Sequence, residues 1–282
     1  MTSKTQLACY NSVKRVDGTR SSVLDTHIVF CIDKSSSMSQ FSQNNMLDSI
    51  NKLIKEQTEN SNVLVRNSIT IIKFGTEVSV VYDRVNLNGM SKLKYSEIAP
   101  DGTTSLYDAI GLGLGKFREN EENIFMIMTD GMENTSKKEN IDSVRTKIGE
   151  AITKKCLVKY LGGGSNAIRS GIDMGFPESC CLTFTNCDEG FKNALNSLSS
   201  SLSRHKSNGN HAFTGLERVQ SIHKPTINNQ GINNQGLNNQ GLHRVSNTPI
   251  PLQRVSCFLQ RVWIGSWLCS VIYIVISKLF LD

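Results

Sequence analysis

The stretch His27-Ile28-Val29-Phe30-Cys31-Ile32-Asp33-Lys34-Ser35-Ser36-Ser37-Met38 decides how the rest of the chain is read. Its first half is a short continuous apolar run, the pattern of a strand buried on both faces. Its second half places one carboxylate and two hydroxyls in an Asp-x-Ser-x-Ser spacing directly where that strand ends.

Working outward, apolar runs alternate with helical spacing. Met46, Ile50, Leu53 and Ile54 form one helical face, and Leu106, Ala109, Ile110, Leu114 and Phe117 a second. Ile141, Val144, Ile148 and Ile152 form a third, and Phe191, Leu195, Leu198 and Leu202 a fourth. Between them, Ser68 to Phe74 and Glu77 to Val85 read as a hairpin around Gly75. Ile124 to Met128, Cys156 to Leu161 and Cys181 to Thr185 read as further strands. Strands alternating with helices predict an α/β fold: a doubly wound, mostly parallel central sheet with helices on both faces. Ligand sites in such sheets lie beyond the carboxyl ends of the strands, near a topological switch point. Three places therefore matter: after Ile32, before Leu106, and after Met128.

Each of these offers oxygen ligands. Asp33, Ser35 and Ser37 follow the first strand, Asp101-Gly102-Thr103-Thr104-Ser105 precedes a helix, and Thr129-Asp130-Gly131 ends another strand. Taken singly, Ser-rich loops cap helices and Asp-Gly makes turns. Together they could converge on one hard cation, and magnesium, which prefers oxygen and keeps several waters, suits a sparse protein ligand set.

At this point the stretch from about Thr26 to Ser203 resembles a von Willebrand factor A domain with its metal-ion-dependent adhesion site. Asp33, Ser35 and Ser37 match the family's first motif. Residues 101 to 110, Asp-Gly-Thr-Thr-Ser-Leu-Tyr-Asp-Ala-Ile, resemble the Gly-Gly-Thr-x-Leu-Tyr-Asp-Ala form common in intracellular members. That register implies Thr104 as the ligand, with Thr103 the runner-up, and Asp130 matches the acidic residue of the hydrophobic-Thr-Asp-Gly context. The resemblance implies a Rossmann-like fold and an intact five-residue metal site for Mg2+, or Mn2+ or Ca2+. It also implies a protein partner that supplies a Glu or Asp as the final ligand. Lys34 and Ser36 are expected to set loop conformation and local charge.

Enzymatic alternatives are weaker. A metal-dependent hydrolase or phosphoryl-transfer site could use the same Asp cluster, but a haloacid-dehalogenase-type site would want Asp at position 35. A dinucleotide site wants glycine straight after the first strand, and residues 33 to 38 have none. Gly111, Gly113 and Gly115 lie within a predicted helix, where small residues permit close packing. His27 is the only histidine before residue 205 and is expected to be structural, so nucleophile–base pairs have little to work with. No catalytic residue and no small-molecule substrate are expected.

Composition bounds the rest. With 38% hydrophobic and 20% charged residues a packed core is expected. Of the net charge of +6, the last 76 residues carry six Lys+Arg against two Asp+Glu, leaving the body nearly neutral. That argues against a nucleic-acid stripe on the folded part. The eight cysteines show no CxxC or metal spacing, and Met1-Thr2-Ser3-Lys4 opens no apolar h-region. A cytoplasmic setting is expected. The domain reading is a lead-in over 1–24, the von Willebrand-type domain over 25–206, a disordered linker over 207–254 containing three Asn-Asn-Gln-Gly repeats, and a hydrophobic segment over 255–282. That last segment, with Trp263, Trp267 and Lys278, is read as a transmembrane anchor that leaves the domain facing the cytosol. An intracellular assembly factor or ATPase adaptor is a second binding-module reading; no Walker motif occurs in this chain.

Overall fold

The computed structural model describes residues 13–14, 20–21, 24–59 and 66–222. Six strands form one sheet: β1 (Asp25–Asp33), β2 (Asn67–Phe74), β3 (Val78–Asn86), β4 (Glu121–Thr129), β5 (Leu157–Gly163) and β6 (Cys181–Phe184), in the order β3-β2-β1-β4-β5-β6. All neighbours are parallel except β2 and β3, which form the antiparallel hairpin. The fold is therefore α/β with a mostly parallel sheet. Near the N-terminus, Val13–Lys14 and Arg20–Ser21 pair as a separate two-residue ladder.

Alternation along the central strands explains their unbroken apolar sequences. Ile28, Phe30 and Ile32 of β1 join Ile124, Met126 and Met128 of β4 on one face. Val29 and Cys31 join Phe125 and Ile127 on the other. Successive side chains point to opposite faces, so a strand covered on both sides must be apolar at every position. The first face is covered by α1 (Gln43–Glu59) and α5 (Asp188–Asn208), and the second by α2 (Leu106–Leu114), α3 (Ile141–Thr153) and α4 (Ala167–Asp173). Each fully buried Phe or Ile contributes roughly 1.5–3 kcal/mol.

The predicted second helical face extends to Phe117, but α2 stops at Leu114 and turns through Gly115. The glycines within it serve packing. A Cβ on Gly113 would lie 2.5 Å from the Phe125 ring and 3.1 Å from Cys31 Sγ. Gly113→Ala should therefore lose about 1–3 kcal/mol despite better helix propensity. That corresponds to a thermal midpoint several degrees lower; an unchanged midpoint would remove close packing as the reason for glycine. His27 is fully buried between Ser68 Oγ at 2.8 Å and Thr70 Oγ1 at 3.3 Å. Burial pushes its imidazole down to about 4, so it is a neutral core group.

Residues 207–222, read from composition as the start of a linker, are folded instead. Helix α5 runs on to Asn208 and ends at Gly209 with a left-handed φ of 77°. A further helix, α6 (Gly215–Ser221), covers the free edge of β6. Arg218 donates to the Cys181 carbonyl at 2.9 Å and Ser221 Oγ to that of Thr183 at 2.6 Å. Composition misled because this segment is held by polar groups: Lys159, fully buried on β5, donates to Ser201 Oγ at 2.7 Å and to the His211 carbonyl. Covering an exposed strand edge in this way blocks unwanted pairing. The polar repeats and the hydrophobic segment lie outside the described residues. Among the described residues no helix is long and apolar enough to cross a membrane.

Candidate metal centre

Strand order reverses at β1: the chain moves from it to β2 on one side and later to β4 on the other. The carboxyl ends of β1 and β4 thus flank a switch point, and Asp33 and Asp130 stand there. Beyond β1 the chain enters a tight turn at Ser36–Gln40 whose Met38 is completely buried in the core. Met38 anchors the loop from beneath, while Ser36 and Ser37 remain exposed.

The loop before α2 is stitched to this turn through the backbone. Ser36 N donates to the Gly102 carbonyl at 2.9 Å, and Asp101 N to that of Lys34 at 2.6 Å. Gly102 adopts φ 81°, where a Cβ would also meet Thr76 Oγ1 at 2.2 Å, so glycine is required. The loop after β4 joins them. Asn134 N donates to the Thr104 carbonyl at 3.1 Å, and Asn134 Oδ1 accepts from Thr104 N at 2.9 Å. Glu133 accepts from Tyr107 N at 2.9 Å, and Asp108 accepts the backbone N–H groups of Lys137, Lys138 and Glu139. Three distant segments are thereby fixed on one rim.

Their side chains meet there. Ser35 Oγ and Ser37 Oγ are 3.0 Å apart, and Ser37 Oγ donates to Asp130 Oδ1 at 2.6 Å. A Cβ on Gly131 would lie 3.1 Å from Thr104 Oγ1 and 3.6 Å from Ser37 Oγ, so both hydroxyls border the same small space. Thr103 faces elsewhere: its hydroxyl meets Thr76 Oγ1 at 3.1 Å and Thr135 Oγ1 at 2.9 Å. Lys34 pairs with Asp101 at 3.8 Å, and its backbone bonds hold the loop.

Asp33 is 1% exposed and accepts from Ser35 N at 2.7 Å and Thr129 Oγ1 at 2.5 Å. Burial, with a smaller contribution from Asp130, pushes its carboxyl up to about 6 against these hydrogen bonds. Burial likewise raises Asp130, opposed by its bonds from Ser37 and Gln40. Among the described residues, no cationic side chain is a leading influence on either carboxylate. One buried and one half-buried carboxylate, with no leading cationic influence among the described residues and three hydroxyls beside them, fit a hard divalent cation.

Sequence reasoning missed Thr129, which was quoted in its motif without a role, and Gln40, whose Nε2 donates to Asp130 Oδ2. Thr129 could have been found as the residue beside an acidic strand end. Nothing in the sequence distinguishes Gln40.

A doubly wound sheet with hydroxyls and carboxylates gathered over its switch point defines the class. The von Willebrand factor type A domain model matches residues 27–176, more than half of the chain, which therefore belongs to that family. Among solved structures, proximal thread matrix protein 1 from the mussel byssus is 15% identical with a TM-score of 0.50, covering 64% of this chain and 47% of that one. The same mussel protein with a zinc-occupied MIDAS motif is 14% identical, at TM-score 0.49 with 64% and 46% covered. A von Willebrand factor type A protein from Catenulispora acidiphila is 12% identical, at TM-score 0.46 with 65% and 43% covered. The chain spans about half the length of these structures, and at such identities the likeness concerns the fold alone. No curated protein matches the chain.

Proposed function

We propose that this domain is a divalent-cation-dependent protein-interaction module. Its cation is held by Asp33, Ser35, Ser37, Thr104 and Asp130 and completed by a Glu or Asp of a partner protein. The observation that carries the reading is the convergence of hydroxyls and carboxylates from three loops over the sheet's switch point. Mg2+ fits the oxygen-only donors, with Mn2+ or Ca2+ as substitutes. Three hydroxyls add no negative charge, so a cation held here keeps an unmet appetite for an external carboxylate. Asp33 and Thr129 fix the floor of the site, while the exposed Ser37 borders its mouth. Met132, 78% exposed two residues past Asp130, adds an apolar contact on the same rim. The proposed role is binding without catalysis.

The domain proposed to do this spans 25–222, with 1–24 leading in and the repeats and hydrophobic segment following. We place it in the cytosol; the five described cysteines are all free thiols, as a reducing compartment keeps them. Membrane tethering through 255–282 is part of the same proposal.

The test is capture of partners by the unsubstituted protein and by Asp130→Ala, each with magnesium and with chelator. Partners should be held by the unsubstituted protein in magnesium and lost in the other three conditions. Capture that ignores both the metal and the substitution would overturn the reading.

A further inference from the structure

Both oxygens of Asp130 are already engaged. Oδ1 accepts from Ser37 Oγ at 2.6 Å, a bond between two residues of the metal-binding pattern. Oδ2 accepts from the amide of Gln40, which lies outside that pattern. The backbone at Gln40 is pinned on both sides: Met38 is buried two residues earlier, and Phe41, next in the chain, packs its ring 4.9 Å from that of Phe191. The Gln40 side chain itself is exposed, so it can release Asp130 into water without disturbing the fold.

We propose that Gln40 is a built-in competitor of the cation, an amide donor that holds Asp130 when the site is empty and must be displaced when a metal enters. This inference rests on the cation reading given above. A carboxylate has a limited set of acceptor directions, and the cation or its coordinated water must use them. The Gln40 N–H already takes one. Binding therefore exchanges a charge-assisted hydrogen bond for one to water, and the net cost of that exchange lowers cation affinity. Gln40 would set the concentration at which the site fills, so that it loads only above a threshold level of free cation.

The experiment is calorimetric titration of Mn2+ into the full chain at pH 7.5, comparing the unsubstituted protein with Gln40→Met and Gln40→Ala. Met keeps the length of the side chain and removes the donor, while Ala removes both. Both variants should bind Mn2+ more tightly by about three- to tenfold, the span of one net hydrogen bond. Tighter binding by Ala alone would overturn the proposal, since room and not the donor would then be the obstacle. Unchanged or weaker binding by both would overturn it as well, while leaving the cation reading intact. An unsubstituted protein that takes up no Mn2+ would overturn the cation reading and this inference together.

Discussion

Asp33→Asn should melt at a higher temperature than the unsubstituted protein in chelator at pH 7.5, and magnesium should no longer move its melt. The stability half follows from linkage. The Asp33 carboxyl sits at about 6 in the folded chain against an ordinary 3.8. A group raised by folding contributes stability that is present below its unfolded value and lost as pH rises through its folded value. Above about pH 6 the cation-free domain thus bears a buried charge costing on the order of 2–3 kcal/mol. Asparagine removes that charge and keeps the local bonding. Its oxygen can still accept from Ser35 N, and its amide can donate to Thr129 Oγ1, which is within 3.1 Å of the Gly131 carbonyl and can turn its own hydrogen there. At pH 4, where the native carboxyl is protonated, the two proteins should melt nearly together.

The metal half has the opposite sign. A cation needs the ionised carboxylate, so magnesium should stabilise the unsubstituted protein above about pH 6 and lose its effect as pH falls through that value. At one hundred times its dissociation constant a ligand adds about 2.7 kcal/mol, or roughly 5–10 °C for a domain of this size. Asp33→Asn should show none of this. Equal magnesium shifts in the two proteins would remove Asp33 from the site. The position is then one where function is kept at a cost in stability, the usual signature of a preorganised charge.

The fold was largely legible from the residues because the central strands are buried on both faces. A run such as Ile124 to Met128 has no amphipathic ambiguity, and its end just before Asp130 is visible in the residues themselves. Asp33, Ser35 and Ser37 could be proposed as one group because they are close in sequence. What escaped reading depends on contacts between distant segments. Helix α6 has little apolar sequence to announce it, because it covers the β6 edge through Arg218 and Ser221. Gln40 reaches Asp130 across 90 residues of chain, and its position one turn beyond the motif gives no periodic signal. The choice between Thr103 and Thr104 was likewise open, because adjacent residues differ only in which way the loop turns them.

That choice yields the second large effect. Thr104→Val should weaken Mg2+ or Mn2+ binding by at least about tenfold, since even groups supporting a ligand from behind commonly matter by ten- to hundredfold. Valine matches threonine in shape, so the buried methyl group keeps its packing and the change isolates the hydroxyl. Thr104→Ser, which retains the oxygen, should bind close to normally. Thr103→Val should instead leave cation affinity within about twofold while lowering the thermal midpoint by a few degrees. Its hydroxyl joins Thr76 on the hairpin turn to Thr135 beyond β4, and each such bond contributes about 0.5–1.5 kcal/mol. The two adjacent threonines thus predict opposite readouts, affinity for one and stability for the other. If Thr103→Val abolished cation binding while Thr104→Val left it whole, the register of the loop before α2 would be wrong by one residue. The cation would then have to sit on the Thr76 side of the rim, away from Ser37 and Asp130.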